Sequence, residues 1–196
     1  MVGRSSIRPK YEKNFEENRK KWLDAALVYS KNDPDFVKSG AITEICELSK
    51  TKRDMFHYAY RTNGEGGPYA SAVVVFLANS VAREVDFIVD FTKRHPKDIF
   101  ERDELVIKLL THVSEEKNIY LIDIRRSRFE LLFCLTRAII YIYGGHLRPS
   151  TRDIFGSRSA CMLCDILLKW YRSDLDKRKI NSIARDIDRA VGKDGL

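Results

Sequence analysis

Residues 39–62, SGAITEICELSKTKRDMFHYAYRT, decide how the rest of the chain is read. Ile42, Ile45 and Leu48 stand at i, i+3 and i+6, which predicts a short helix from Ala41 to Leu48 with one apolar face. Ser39 stands where the N-cap of that helix belongs. Ser49 holds the same position ahead of Lys50, Thr51, Lys52 and Arg53, where a second short helix would begin. The cations Lys50, Lys52 and Arg53 precede a cluster of rings, Phe56, His57, Tyr58 and Tyr60. Two short helices around a tight turn, with cations opening the second, have the form of a helix-turn-helix DNA reader. There the first helix supports the second, whose N-terminal residues enter the major groove while flanking cations hold phosphates. An ordinary helical hairpin with a solvated basic face satisfies the same pattern, because the helix-turn-helix signature is degenerate.

Working outward, residues 1–12 mix Gly, Ser, Pro and cations without periodicity and predict a mobile arm. FEENRKKWLDAALVYS then predicts a helix over residues 14–30, with Phe15, Trp22, Ala25, Ala26 and Tyr29 on one face and acidic residues in its first turn. Turn formers at 31–35 end it. On the other side, NGEGGP at 63–68 is the strongest break in the chain, and it sets the expected boundary between a helix-turn-helix domain over 1–63 and a helical domain over 64–196. Pro68 suits the first turn of a long helix running to Pro96. Further helices are expected over 97–117, 121–143, 152–172 and 177–191, with a break near Asn118, Ile119 and Tyr120 and a stop at Gly144 and Gly145. Val74, Val75, Phe76 and Val81 could seed a strand, but Ala70, Ala72, Ala78 and Ala82 recur at helical spacing and the run is too long for a strand. The fold class expected is all-α.

A chain of 196 residues with 44% hydrophobic and 32% charged residues can bury a large core without staples. The longest apolar run, residues 70–82, is interrupted by Asn79 and Ser80 and followed by Arg83 and Glu84, too short to span a bilayer. No apolar leader opens the chain, so a cytoplasmic protein is expected. Cys46, Cys134, Cys161 and Cys164 fall in apolar helical patterns as free thiols. The net charge of +7 favours a polyanionic partner, and residues 1–62 carry thirteen Lys/Arg against nine Asp/Glu, more than half of that surplus in a third of the chain. No chemistry-bearing motif argues for an enzyme. Cys161 and Cys164 have CxxC spacing on an apolar helix without a second pair, so no metal is expected. The glycines at 64–67 lack the Lys-Ser/Thr of a phosphate loop, and no cofactor is expected.

A short three-helix unit, a long fourth helix and further helices ending in a pair resemble the TetR family of transcriptional regulators. Ile42 and the pair Leu48, Ser49 are spaced as in that family's first helix and turn, and Met55, Phe56, His57 and Tyr58 are similar to the close of its recognition helix. The segments LLTHVSEEKNIYLIDI and DILLKWYRSDL resemble one class of its ligand-binding domains. The chain departs from the family at Thr43 and Glu47, where an alanine and a glycine are usual, and at 64–67, where a Lys-Glu pair is usual. Two extra residues separate Ser49 from Met55. The resemblance implies a repressor that binds a near-palindromic double-stranded DNA operator as a homodimer, through the last two helices (residues 152–191), with half-sites about one DNA turn apart. It makes Ser39, Ser49, Lys50, Thr51, Lys52, Arg53, His57 and Tyr58 the DNA-binding candidates, Arg53 being suited to guanine. A small effector would act through a pocket in the second domain, with Phe87, Phe91, His112, Phe133, Arg137 and Tyr141 as candidate lining residues, each equally compatible with plain core. The rival reading is a helical protein-interaction module in which the basic face meets an acidic protein partner.

Overall fold

The computed structural model describes residues 8–36, 38, 40–60, 72–93, 99–144 and 149–191. Every element among them is helical, as the periodicity requires: α1 (Arg8–Tyr29), α2 (Ala41–Leu48), α3 (Arg53–Ala59), α4 (Ala72–Thr92), α5 (Ile99–Glu115), α6 (Lys117–Arg125), α7 (Glu130–Gly144), α8 (Pro149–Tyr171) and, after a 3-10 turn at Lys177–Lys179, α9 (Ile180–Val191). No helix among the described residues is long and apolar enough to cross a membrane. Ser39, the break at 63–68 and Pro96 lie outside the described residues. The chain forms two compact units, Met1–Asn79 and Ser80–Leu196.

In the first unit α1 begins at Arg8, so residues 8–12 are helical and not part of an arm. Trp22 is 1% exposed and organises the core. It meets Phe56 of α3 edge-on at 5.0 Å and Phe76 at 6.2 Å, while Tyr60 and Phe76 lie 4.9 Å apart. Such edge-to-face pairs suit ring quadrupoles and add to the area buried. Helix α2 presents Ala41, Ile45 and Cys46 to this core. Leu48, expected on the same face, is 52% exposed at the last position of α2.

Both ends of α2 differ from the expectation. Its N-cap is Gly40, at φ 106°, a left-handed conformation open to glycine at little cost. At its C-terminus Ser49 is the C-cap and Lys50, at φ 54°, takes the left-handed position. The Thr51 N–H donates to the Cys46 carbonyl at 2.9 Å and the Lys50 N–H to the Glu47 carbonyl at 3.1 Å, the paired closure of a Schellman motif. Ser49 therefore ends α2 and does not start α3, which is capped by the extended Lys52.

The second unit packs α5 against α7 and α9, with α8 lying along α7 and α9. The helix expected over 121–143 is two helices. Ser127 at φ 54° closes α6 with the same pair of bonds, Arg128 N–H to the Asp123 carbonyl and Ser127 N–H to the Ile124 carbonyl. The Asp123 carboxylate then accepts the N–H of Leu131 at 3.0 Å, satisfying a first-turn donor of α7. The earlier break falls at Glu116, before Asn118. Arg102 of α5 holds Asp188 of α9 at 2.9 Å and lies 4.3 Å over the Tyr143 ring. On α9, Ile180, Ile183, Ile187 and Val191 are all buried within the single chain.

Candidate nucleic-acid interface

The turn between α2 and α3 sorts its polar side chains into those used by the fold and those left outward. The Trp22 indole N–H donates to the Thr51 hydroxyl at 2.6 Å, and Thr51 shares a hydrogen bond of 2.8 Å with the Ser49 hydroxyl, which also donates to the Cys46 carbonyl at 3.2 Å. Ser49 and Thr51, both expected as DNA contacts, are half-buried and hydrogen-bonded within the fold. Lys50, Lys52 and Arg53 alternate with them and are exposed.

Helix α3 divides its rings in the same way. Phe56 is fully buried on Trp22, whereas Tyr58, two residues on, is 85% exposed. Arg53 donates through Nε to Nε2 of His57 at 3.2 Å, one helical turn along, which braces the guanidinium at the N-terminus of α3. The Arg53 charge also reaches back to Cys46, where it opposes the dominant effect of burial, which raises the thiol's pKa. The structure brings Lys50, Lys52, Arg53, His57 and Tyr58 together on the turn and α3. Asp54 and Glu47, both exposed, interrupt the positive surface.

Beside this surface, α1 and α2 enclose two shallow concavities that meet at Val28 and Leu48, each about half exposed. One, of about 300 Å³, is lined by Lys21, Asp24, Ala25, Val28, Leu48, Ser49 and Lys50. The other, of about 450 Å³, is lined by Val28, Tyr29, Asn32, Glu44, Glu47 and Leu48. Burial and the adjacent Asp33 push the Tyr29 hydroxyl up to about 12, so it stays a neutral donor to that carboxylate.

In the second unit only half of the effector-pocket candidates come together. Phe87 stacks on His112 with ring centres 3.5 Å apart and meets Phe91 at 5.2 Å. His112 Nε2 is 2.8 Å from Glu84 Oε2, and the Tyr120 hydroxyl donates to the same oxygen at 3.2 Å. Burial, then the Glu84 charge, raises the Tyr120 pKa well above its ordinary value. Glu84, 1% exposed, and Tyr120 were missed in the sequence, because a Glu beside Arg83 reads as a solvated helix face. Phe133, Arg137 and Tyr141 lie elsewhere, exposed at four-residue steps along the outer face of α7. Cys161 is exposed and Cys164 meets Thr136, and no metal-holding cluster occurs among the described residues. Among known proteins, no family model matches the chain, and no curated protein or solved structure is significantly similar to it.

Proposed function

We propose that the chain is a DNA-binding transcriptional regulator of the TetR type, a repressor acting as a dimer on a near-palindromic operator. The observation that carries this reading is the alternation at the turn, where Ser49 and Thr51 are fastened inward while Lys50, Lys52 and Arg53 face out ahead of α3. A polyanion meeting that surface would find cations on a backbone braced by the core. Arg53, at the first position of α3, has the fork geometry for a guanine edge, and Lys50 and Lys52 suit phosphates. Tyr58 and His57 would follow the sugar-phosphate backbone. An effector, on this reading, would bind near Glu84, Phe87 and His112 and favour one of two separations of the paired readers. Fluorescence anisotropy against an upstream duplex and a scrambled one, over a range of salt, tests the proposal. Preference for the upstream duplex at about 0.15 M salt supports it; equal binding that fades with salt removes it.

The half-exposed pair Val28 and Leu48 favours a second reading, a helical protein-interaction module in which a partner side chain enters the α1–α2 concavities. Partner binding that is lost in Leu48→Asp, with no preference between the upstream and scrambled duplexes, would select it over DNA binding.

A further inference from the structure

The resemblance assigns self-association to the last two helices, but α9 spends its isoleucines inside its own chain. The outward face of α7 offers what α9 does not. Phe133 is 58% and Tyr141 60% exposed, although both are large rings on a helix whose other side is core. Glu130 and Arg137 are also exposed, seven residues apart, with Phe133 and the half-buried Cys134 between them. No ion pair among the described residues uses Glu130 or Arg137.

We infer that α7 is the centre of a homodimer interface, in which two copies of the helix pack antiparallel about a two-fold axis passing between Phe133 and Cys134. The occupant is argued from the charge pattern, because the order acid, ring, thiol, base is its own complement when reversed. With a rise of 1.5 Å per residue, Glu130 and Arg137 each lie about 5 Å from the axis along the helix, on opposite sides of it. Glu130 of each copy therefore faces Arg137 of the other, twice, as an isologous interface requires. Phe133 packs on its own copy at the centre, and Cys134 lies near its own copy. Helix α8 can widen the contact. Thr136 Oγ1 meets Cys164 Sγ at 3.5 Å, so α8 runs along the same edge of α7 as Phe133 and Ile140, and the half-buried Leu168 adds apolar surface there. A two-helix face is needed, since a stable interface buries about 1,200 Å² or more. The inference takes the dimer from the proposed function and supplies its face.

Sedimentation equilibrium of the full chain with a charge swap is the test. Arg137→Glu and Glu130→Arg each place like charges opposite one another and should weaken dimerisation by about tenfold or more. The double variant Glu130→Arg/Arg137→Glu should restore it to within about threefold, since the pairs are re-formed with signs exchanged. Mild oxidation should link the wild-type dimer covalently, the link vanishing in Cys134→Ser and persisting in Cys161→Ser/Cys164→Ser. A monomer at every concentration overturns the inference, and so does a dimer that ignores Arg137→Glu and forms no Cys134 link. Duplex binding measured on the same samples separates the two claims. A dimer of another geometry with upstream-duplex preference removes the α7 interface alone, and an α7 dimer without that preference removes DNA reading alone.

Discussion

The indole of Trp22 and the hydroxyl of Thr51, 29 residues apart, share a hydrogen bond of 2.6 Å that fastens the turn before α3 to the middle of α1. Trp22 is 1% exposed, so its N–H has no access to water if Thr51 is lost. Thr51→Val should cost about 1–3 kcal/mol, read as a lower urea midpoint, while Thr51→Ser stays near wild type. Duplex affinity should also fall, although no charge is removed, because Lys50 and Lys52 flank the fastened residue.

Lys50 sits in a conformation that favours glycine, with φ 54°. Lys50→Gly should therefore raise stability by about 1 kcal/mol. The same change should lower duplex affinity and flatten the slope of log K against log salt by about 0.9 if the ammonium holds one phosphate. A rise in melting temperature with unchanged salt dependence would detach Lys50 from binding.

Phe56 and Tyr58 make the complementary pair. Phe56→Ala empties a fully buried site among Trp22, Tyr60 and Phe76 and should cost about 3–5 kcal/mol. Tyr58→Ala, at an 85% exposed position, should shift stability by no more than about 0.5 kcal/mol. Its effect should appear in anisotropy titrations with duplex.

Glu84 is a buried carboxylate whose Oε2 meets both His112 and Tyr120. His112→Ala removes that hydrogen bond and the stack on Phe87, and should cost about 1.5–3 kcal/mol. Tyr120→Phe should cost less, because the 3.2 Å contact is the longer of the two and His112 remains. Thermal melts of the two variants check the order.

Asp123 carries a pH dependence. Burial raises its pKa above 3.8, against the lowering effect of the N–H groups of Leu131 and Glu130. The folded chain then holds this proton more tightly than the unfolded chain. The stabilisation is fully present below 3.8 and is lost as pH rises through the higher folded value. Asp123→Asn keeps an oxygen for Leu131 and abolishes that slope. Its melting temperature relative to wild type should therefore climb as pH rises above 3.8.

Several elements were legible from local pattern. The apolar period of residues 41–48 marked α2 with its observed bounds, and Trp22, Ala25, Ala26 and Tyr29 marked the buried side of α1. Helix ends were less legible where the signal was not Gly or Pro. Lys50 and Ser127 terminate helices in left-handed conformations that their side chains do not announce. The break after Arg125 depends on Asp123 reaching forward to cap α7, a bond that periodicity does not encode.

The same division holds for the candidate surfaces. The sequence by itself determined an all-helical chain, a basic turn followed by rings, and a long fourth helix, because helical period, turn chemistry and charge are properties of neighbours along the chain. Only the tertiary structure decided which of those side chains remain available. Thr51 is taken by Trp22, Ser49 by Thr51 and Cys46, and the isoleucines of α9 by the core, while Phe133 and Arg137 are left outward on α7. A hydrogen bond or a buried face is settled by a partner distant in sequence, and packing brings that partner close.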